Sequence, residues 1–119
     1  MAAEVKNFDS PDETRPFEGK GKADILSIGG RTVGKAVFEP GWKWSENVKP
    51  IAQTDSCEVS HLGYCISGAM TVYMDDGDTI EVGPGDVFAL PPGHDAEIPG
   101  SEPCVVLDFG EFGDYAKRT

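Results

Sequence analysis

The chain contains two histidines and a nearby cysteine whose types and spacing could bind a metal ion. His61 lies in the segment DSCEVSHLGYCISG, His94 lies in LPPGHDAEIPG, and Cys57 precedes His61 by four residues. Side chains alternate between the two faces of a β-strand, so a strand that begins near Asp55 would place Cys57 and His61 on one face. A thiolate and two imidazoles suit zinc, and three protein ligands leave a fourth position open. The sequence therefore predicts a divalent metal, with zinc favoured, held by Cys57, His61 and His94.

Other interpretations of these three residues stay open. A cysteine in a strand is often a small buried hydrophobic residue, and a histidine after PPG can bond to loop backbone. Cys57 and His61 could also form a nucleophile–base pair, which requires a lowered pKa of the thiol. The chain has no GxSxG segment and no glycine-rich phosphate loop, so the chemistries that depend on those motifs lack their parts.

Four further residues are predicted to contact a small-molecule ligand. Trp42 and Trp44 lie two positions apart in GWKWSE, so on a strand they would share a face and form an aromatic wall of a cavity. The alternative for both is burial in the core or in a dimer interface. Asp55 is predicted at the mouth of the pocket, although in so acidic a chain it could be plain surface charge. Tyr73, in the strand candidate AMTVYM, completes the predicted set.

Short strands are the elements that would position these residues. The chain has 15 glycines and 9 prolines, which is typical of many tight turns. Gly29-Gly30 and Asp76-Gly77 predict hairpin loops. Eight or nine strands at even spacing favour an all-β, antiparallel sandwich or barrel with little or no helix. The clearest strand candidates are ADILSI, RTVGKAVFEP, EVSHLGYCIS, AMTVYM, TIEV, VFAL, HDAEI and CVVLDF.

Length and charge limit the class of protein. At 119 residues the chain fits one domain, which we divide into a polar N-terminal arm over residues 1–21 and a single barrel over residues 22–119. The net charge of -11 disfavours nucleic-acid binding, because phosphates would be repelled. No apolar run approaches the ~20 residues that cross a membrane, and no signal peptide is visible. Three cysteines cannot all pair within the chain, so we expect a cytoplasmic protein with reduced thiols.

The turn skeleton resembles that of the cupin superfamily. The segment GPGDVFALPPGHDAEIPG is similar to the second cupin motif, with Gly85, Pro91 and Gly93 at matching positions. HLGYCISG resembles the end of the first motif, in which Gly68 matches, and FEPGW resembles its lead-in. The resemblance covers about residues 33 to 109. It implies a small jelly-roll barrel, a ligand cavity inside the barrel and, commonly, a homodimer.

The first motif departs from the family's metal set, which is His-x-His, a Glu and a later His. Counting back from Gly68 places His61 at the Glu position, and it places Cys57 and Asp55 at the two His positions. Counting forward from Gly41 instead places Asn47 and Lys49 there. Neither count yields His-x-His, so the usual metal set is not present.

The second motif departs as well. Ala96 stands where the motif has its histidine, and Gly100 stands where it has asparagine. His94 lies two residues before the lost histidine, on the same face if the strand is regular. We therefore expect a rearranged Cys57–His61–His94 site.

Three functions fit these patterns. The first is a small-molecule-binding barrel, such as a sensor or accessory protein, with its cavity inside the jelly roll. The second is a metal-dependent enzyme of isomerase, lyase or dioxygenase type that uses the rearranged zinc site. The third is a non-catalytic dimeric interaction module. The fold alone does not choose among them, and ligand binding is the first prediction.

Overall fold

Short antiparallel strands form almost the whole molecule in this computed structural model, which describes residues 2–110 and 115–117. Positions 111–114 and 118–119 of the predicted barrel lie outside the described residues. The described part contains two single-turn helices, α1 (Trp44–Asn47) and α2 (Lys49–Ala52). Its strands are β1 (Glu13–Pro16), β2 (Gly21–Ile28), β3 (Arg31–Phe38), β4 (His61–Ser67), β5 (Met70–Met74), β6 (Thr79–Val82), β7 (Val87–Leu90), β8 (His94–Glu97) and β9 (Cys104–Asp108).

The strands form two sheets. The larger has the order β1-β2-β3-β9-β4-β7 and the smaller has the order β6-β5-β8, with every pair antiparallel. Each of the eight strand candidates read from the sequence contains one of the strands β2 to β9 or overlaps it. The prediction of an all-β jelly roll with little helix is therefore confirmed.

Glycines with positive φ make the tight connections. Gly29 and Gly30 have φ of 59° and 73° and join β2 to β3, as the hairpin prediction requires. Gly68, with φ of 77°, lies where the chain leaves the larger sheet after β4 and enters the smaller sheet at β5. A Cβ atom on Gly68 would lie 2.2 Å from the Pro103 carbonyl oxygen. The crossing between the sheets therefore requires glycine for both its conformation and its close backbone approach.

The segment predicted to be a polar arm contributes a strand to the barrel. Glu13–Pro16 pairs with β2, and Phe17 is buried with 4 % of its surface exposed. The Phe17 ring stacks on Phe38 with centroids 5.4 Å apart. The sequence did not predict this strand, because it is only four residues long and has no alternation of apolar and polar residues. Its pairing with β2 rests on the backbone ladder and on a side-chain hydrogen bond, from the Thr14 hydroxyl to the Asp24 carboxylate.

The two tryptophans do not lie on one strand as predicted. Trp42 follows a turn, and Trp44 begins α1. The Asn47 side-chain oxygen accepts a hydrogen bond from the Lys43 backbone N–H, and Asp95 accepts one from the Ser45 N–H. These bonds end the extended conformation after Lys43 and fix the helical turn. None of the helices in the described part is long or apolar enough to cross a bilayer.

The core lies between the two sheets. Val72 from the smaller sheet and Cys65 and Cys104 from the larger sheet have no exposed surface. All three cysteines, including Cys57, are buried and free. Burial raises the pKa of Cys104 to about 12, with Cys65 as a further cause. These two thiols are therefore neutral packing groups, which separates them chemically from Cys57.

Candidate functional site

The backbone of Cys57 is hydrogen-bonded to the start of β8 and is not part of β4. Its backbone N–H donates to the His94 carbonyl at 2.7 Å, and its own carbonyl accepts from the Gly93 N–H at 2.7 Å. The two residues form an isolated antiparallel bridge. The strand predicted to run from Asp55 begins only at His61, so alternation along one strand is the wrong reason for placing Cys57 beside His61. The bridge to His94 is what places the thiol.

His61 opens β4 and is held by a carboxylate on the neighbouring strand β9. Its Nδ1 lies 2.5 Å from the Asp108 carboxylate, and its Nε2 lies 3.6 Å from the Cys57 sulfur. The β4–β9 register pairs Gly63 with Asp108, which brings the carboxylate to the His61 ring. The ring orientation is thus set from the Nδ1 side, with Nε2 directed at the thiol.

His94 opens β8 and is 3 % exposed. Its Nδ1 lies 2.9 Å from the Pro91 carbonyl oxygen, an acceptor that fixes the proton on Nδ1. The centroids of the His61 and His94 rings lie 5.3 Å apart. His94 therefore bonds to loop backbone, as one alternative held, and faces His61 as well.

The three side chains fit the geometry of a zinc site. One ligand atom from each of Cys57, His61 and His94 lies within 4.8 Å of the others. For Zn–S of about 2.3 Å and Zn–N of about 2.0–2.1 Å, a tetrahedral angle separates sulfur from nitrogen by about 3.6 Å. That is the separation between the Cys57 sulfur and the His61 Nε2. The donor set and its spacing therefore suit zinc without rearrangement of this pair.

The charges within the site favour a thiolate. Burial by itself raises the pKa of Cys57, but hydrogen bonds with His61 and His94 outweigh it and lower the pKa to about 7. Burial by itself lowers the pKa of His61, but the bonds to Asp108 and Cys57 raise it to about 9. Between these two values the site holds a thiolate beside an imidazolium. The cation beside the thiol is the His61 imidazolium, which the Asp108 carboxylate stabilises from the Nδ1 side.

A cavity of about 50 Å³ adjoins the cluster inside the barrel. Apart from the cluster and Asp108, its walls are mainly apolar, and both Trp42 and Trp44 contribute to them. The two indoles are each 2 % exposed. Among the residues described, no atom accepts a hydrogen bond from either indole N–H. Both indole nitrogens are themselves fully buried, so the two tryptophans contribute ring surface rather than hydrogen-bond donors to the cavity.

The structure separates the predicted ligand-binding residues into two groups. Trp42 and Trp44 line the cavity, whereas Asp55 and Tyr73 do not. Asp55 is exposed in the bend before Cys57. Tyr73 points outward from β5, with 41 % of its surface exposed. The inward positions of that strand are Met70, Val72 and Met74, which alternate with it. Asp55 and Tyr73 therefore do not join the cavity lining, and their contact with a ligand stays a prediction.

Two residues of the site were missed from the sequence. Asp108 lies 47 positions from His61, at the end of a strand whose apolar pattern predicts only packing. The Tyr115 ring meets the His61 ring edge-on with centroids 5.3 Å apart. Burial raises the pKa of Tyr115 well above its usual range, with Cys57 and Asp108 as further causes, so its phenol stays neutral. Only the strand register could have found Asp108, and no local signal marks Tyr115.

Comparison with known proteins gives one family and a set of similar folds. The family model described as the cupin domain matches residues 36–110. A double-stranded β-helix protein from Klebsiella pneumoniae is 18% identical, with a TM-score of 0.63, over 96% of this chain and 94% of that one. An RmlC-like cupin from Shewanella frigidimarina is also 18% identical, with a TM-score of 0.60, over 96% of each chain.

A third similar structure is KdgF from a Halomonas species, at 18% identity and a TM-score of 0.61, over 92% of this chain and 94% of that one. No curated protein matches significantly. Identities this low establish the shared fold and leave the chemistry to the residues of the site.

Proposed function

This chain belongs to the cupin domain family, and we propose that it binds a small molecule at a zinc ion held in its barrel by Cys57, His61 and His94. The cupin fold accounts for the cavity. The metal and the ligand are inferred from the side chains within it.

The engagement of both Nδ1 atoms carries the proposal. The Asp108 carboxylate holds Nδ1 of His61 and the Pro91 carbonyl holds Nδ1 of His94, which leaves each Nε2 to act as a metal ligand. Metal-bound histidines in proteins are oriented in this way by a carboxylate or a backbone carbonyl.

Charge balance supports the same conclusion. A divalent ion with one thiolate and two neutral imidazoles carries a net charge of +1, and the Asp108 carboxylate behind His61 neutralises it. Uncompensated charge in an apolar cavity is costly. Since the donor set offers sulfur and no direct carboxylate, it suits zinc better than the two-histidine, one-carboxylate site of non-haem iron oxygenases.

A bound ion would supply Lewis-acid chemistry to an oxygen of the ligand. The chain's own residues would surround that oxygen with mainly apolar walls, to which Trp42 and Trp44 contribute. At about 50 Å³, the cavity is far below the ~300–1,000 Å³ of drug-sized pockets. It therefore admits the ion and a group of a few atoms.

A metal-free nucleophile is the second candidate. The contacts Cys57–His61–Asp108 follow the order of a nucleophile, a base and an orienting acid. Cys57 is only 2 % exposed, however, and the small cavity leaves an electrophile little room to approach. The same geometry therefore supports metal binding better than nucleophilic catalysis.

Zinc titration at two pH values tests the metal site through the protons that it releases. At pH 8, Cys57 is a thiolate and His61 is protonated, because their pKa values are about 7 and about 9. Zinc should then release about one proton, from His61, and at pH 6 it should release about two, since Cys57 must also deprotonate. Calorimetry in buffers of different ionisation enthalpy measures the count. No zinc uptake at either pH would contradict the site, whereas equal counts would contradict the pKa values of the Cys57–His61 pair.

We also propose that two copies of the chain pair through the outer face of β9, β4 and β7. Charged residues make up 26% of the chain, and its net charge is -11. Two copies therefore repel each other wherever acidic surfaces meet. This face avoids that repulsion, because its outward side chains are uncharged. They are Val105, Leu107, Leu62, Tyr64, Ile66, Val87 and Ala89.

The dimer predicts a solution mass of twice the monomer. Ile66, 44 % exposed on the proposed face, should yield a monomer when changed to glutamate, because two like charges would meet across a two-fold axis. Ile80, 38 % exposed on the other sheet, is the matched control, and Ile80→Glu should stay dimeric. Light scattering makes the measurement. A monomeric wild-type chain would refute the pairing.

A further inference from the structure

A second, wider cavity adjoins the metal cluster from the outside. We call it the outer cleft; it is lined by Glu18, Trp44, Val48 and residues 50–54, 57–59 and 115–117. Its volume is about 560 Å³, against about 50 Å³ for the inner cavity. The outer cleft therefore has the size of a drug-sized ligand site, which the inner cavity lacks.

The two cavities share a wall of three residues. Trp44, Cys57 and Tyr115 line both. Cys57 is a donor of the proposed zinc site, so a molecule in the outer cleft that touches Cys57 touches the coordination sphere. Trp44 is 2 % exposed, and no described residue accepts from its indole N–H. The outer cleft therefore lies directly against a ligand of the proposed zinc site.

The lining of the outer cleft limits what it could bind. Ile51 and Val59 supply apolar surface, with the buried Val48 behind them. The charged side chains in the lining are Glu18, Glu58 and Lys117, a net charge of -1, in a chain whose overall charge is -11. This negative charge would repel an anionic ligand, whereas it would not repel an uncharged or cationic one.

We propose that the outer cleft binds the body of the ligand whose head coordinates the ion. The ligand class is a partly apolar, uncharged or cationic molecule with one oxygen-bearing metal-binding group. The head fits the small inner cavity, while the body lies along Ile51 and Val59. This assignment rests on the proposed zinc site and adds the location and chemistry of the larger part of its ligand.

Two uncharged hydroxamic acids of different length test the assignment. Acetohydroxamic acid supplies the metal-binding head alone, and octanohydroxamic acid adds an apolar tail. Calorimetry on the zinc-loaded chain should show that octanohydroxamic acid binds at least about 10-fold more tightly, because several methylene groups become buried. Equal affinities with one zinc per chain would overturn the outer-cleft assignment and leave the zinc site intact.

Matched variants locate the tail. Ile51→Asn, in the outer cleft, should reduce the preference for the long probe to about 2-fold or less, whereas Ile80→Asn, on the exposed β6, should retain it. Zinc content and acetohydroxamic acid affinity should be unchanged in both. A long-probe preference that survives in Ile51→Asn would place the tail elsewhere and overturn the assignment. A chain that takes up no zinc would overturn the proposed function and, with it, this two-part site.

Discussion

Replacing Cys57 by alanine is expected to lower zinc affinity by about 100- to 1,000-fold. Structural zinc sites bind with roughly 10–16 kcal/mol across four ligands, so one ligand accounts for about 3–4 kcal/mol. The substitution also removes the thiolate charge that offsets the ion. Elemental analysis of the purified wild type should find about one zinc per chain, and dialysis against a zinc buffer should give the affinities of both proteins.

Two further variants provide zinc affinities with which that of Cys57→Ala can be compared. Asp108→Asn keeps all three ligand atoms but weakens the hydrogen bond to Nδ1 of His61. The zinc affinity of this variant should therefore fall by about 10- to 100-fold. Cys104→Ala removes an equally buried thiol that lines neither cavity, and it should retain zinc. Circular dichroism confirms that each variant is folded. Zinc retained in folded Cys57→Ala, or a folded wild type that binds none, would refute the metal site.

Replacing Gly68 by alanine is expected to destabilise the barrel by about 3 kcal/mol or more. The φ of 77° is costly for a side chain. The new Cβ would also lie 2.2 Å from the Pro103 carbonyl oxygen and 2.6 Å from the Cys104 Cα. Because both contacts are backbone atoms of the strand that Gly68 crosses, they cannot be relieved by a rotamer change. Urea unfolding measures the free-energy difference.

Gly30 provides the control that separates conformation from crowding. Its φ of 73° nearly equals that of Gly68, but nothing lies within 4 Å of the position where its Cβ would be. Gly30→Ala should therefore cost only the conformational part, about 1 kcal/mol. Equal losses at the two glycines would show that backbone crowding at the sheet crossing contributes nothing.

The strands and turns could largely be predicted from the sequence because their signals are local. Gly29-Gly30 and Asp76-Gly77 mark hairpins through conformations that glycine adopts readily, and apolar alternation marks β2 to β9. Strand β1 was missed because the neighbouring strand stabilises it. Trp42 and Trp44 were placed on a strand because GWKWSE carries no helix signal. Side-chain bonds from Asn47 and Asp95 impose the turn there.

The sequence by itself determined the cupin barrel and the three side chains capable of binding a metal, since residue type and turn spacing are properties of short segments. Tertiary structure alone decided how those side chains meet. The Cys57–His94 bridge places the thiol, and the β4–β9 register brings Asp108 to His61 across 47 positions. The tertiary structure also places Asp55 and Tyr73 outside the lining of the inner cavity. Contacts between distant strands depend on register and sheet closure, which no short segment of the chain encodes.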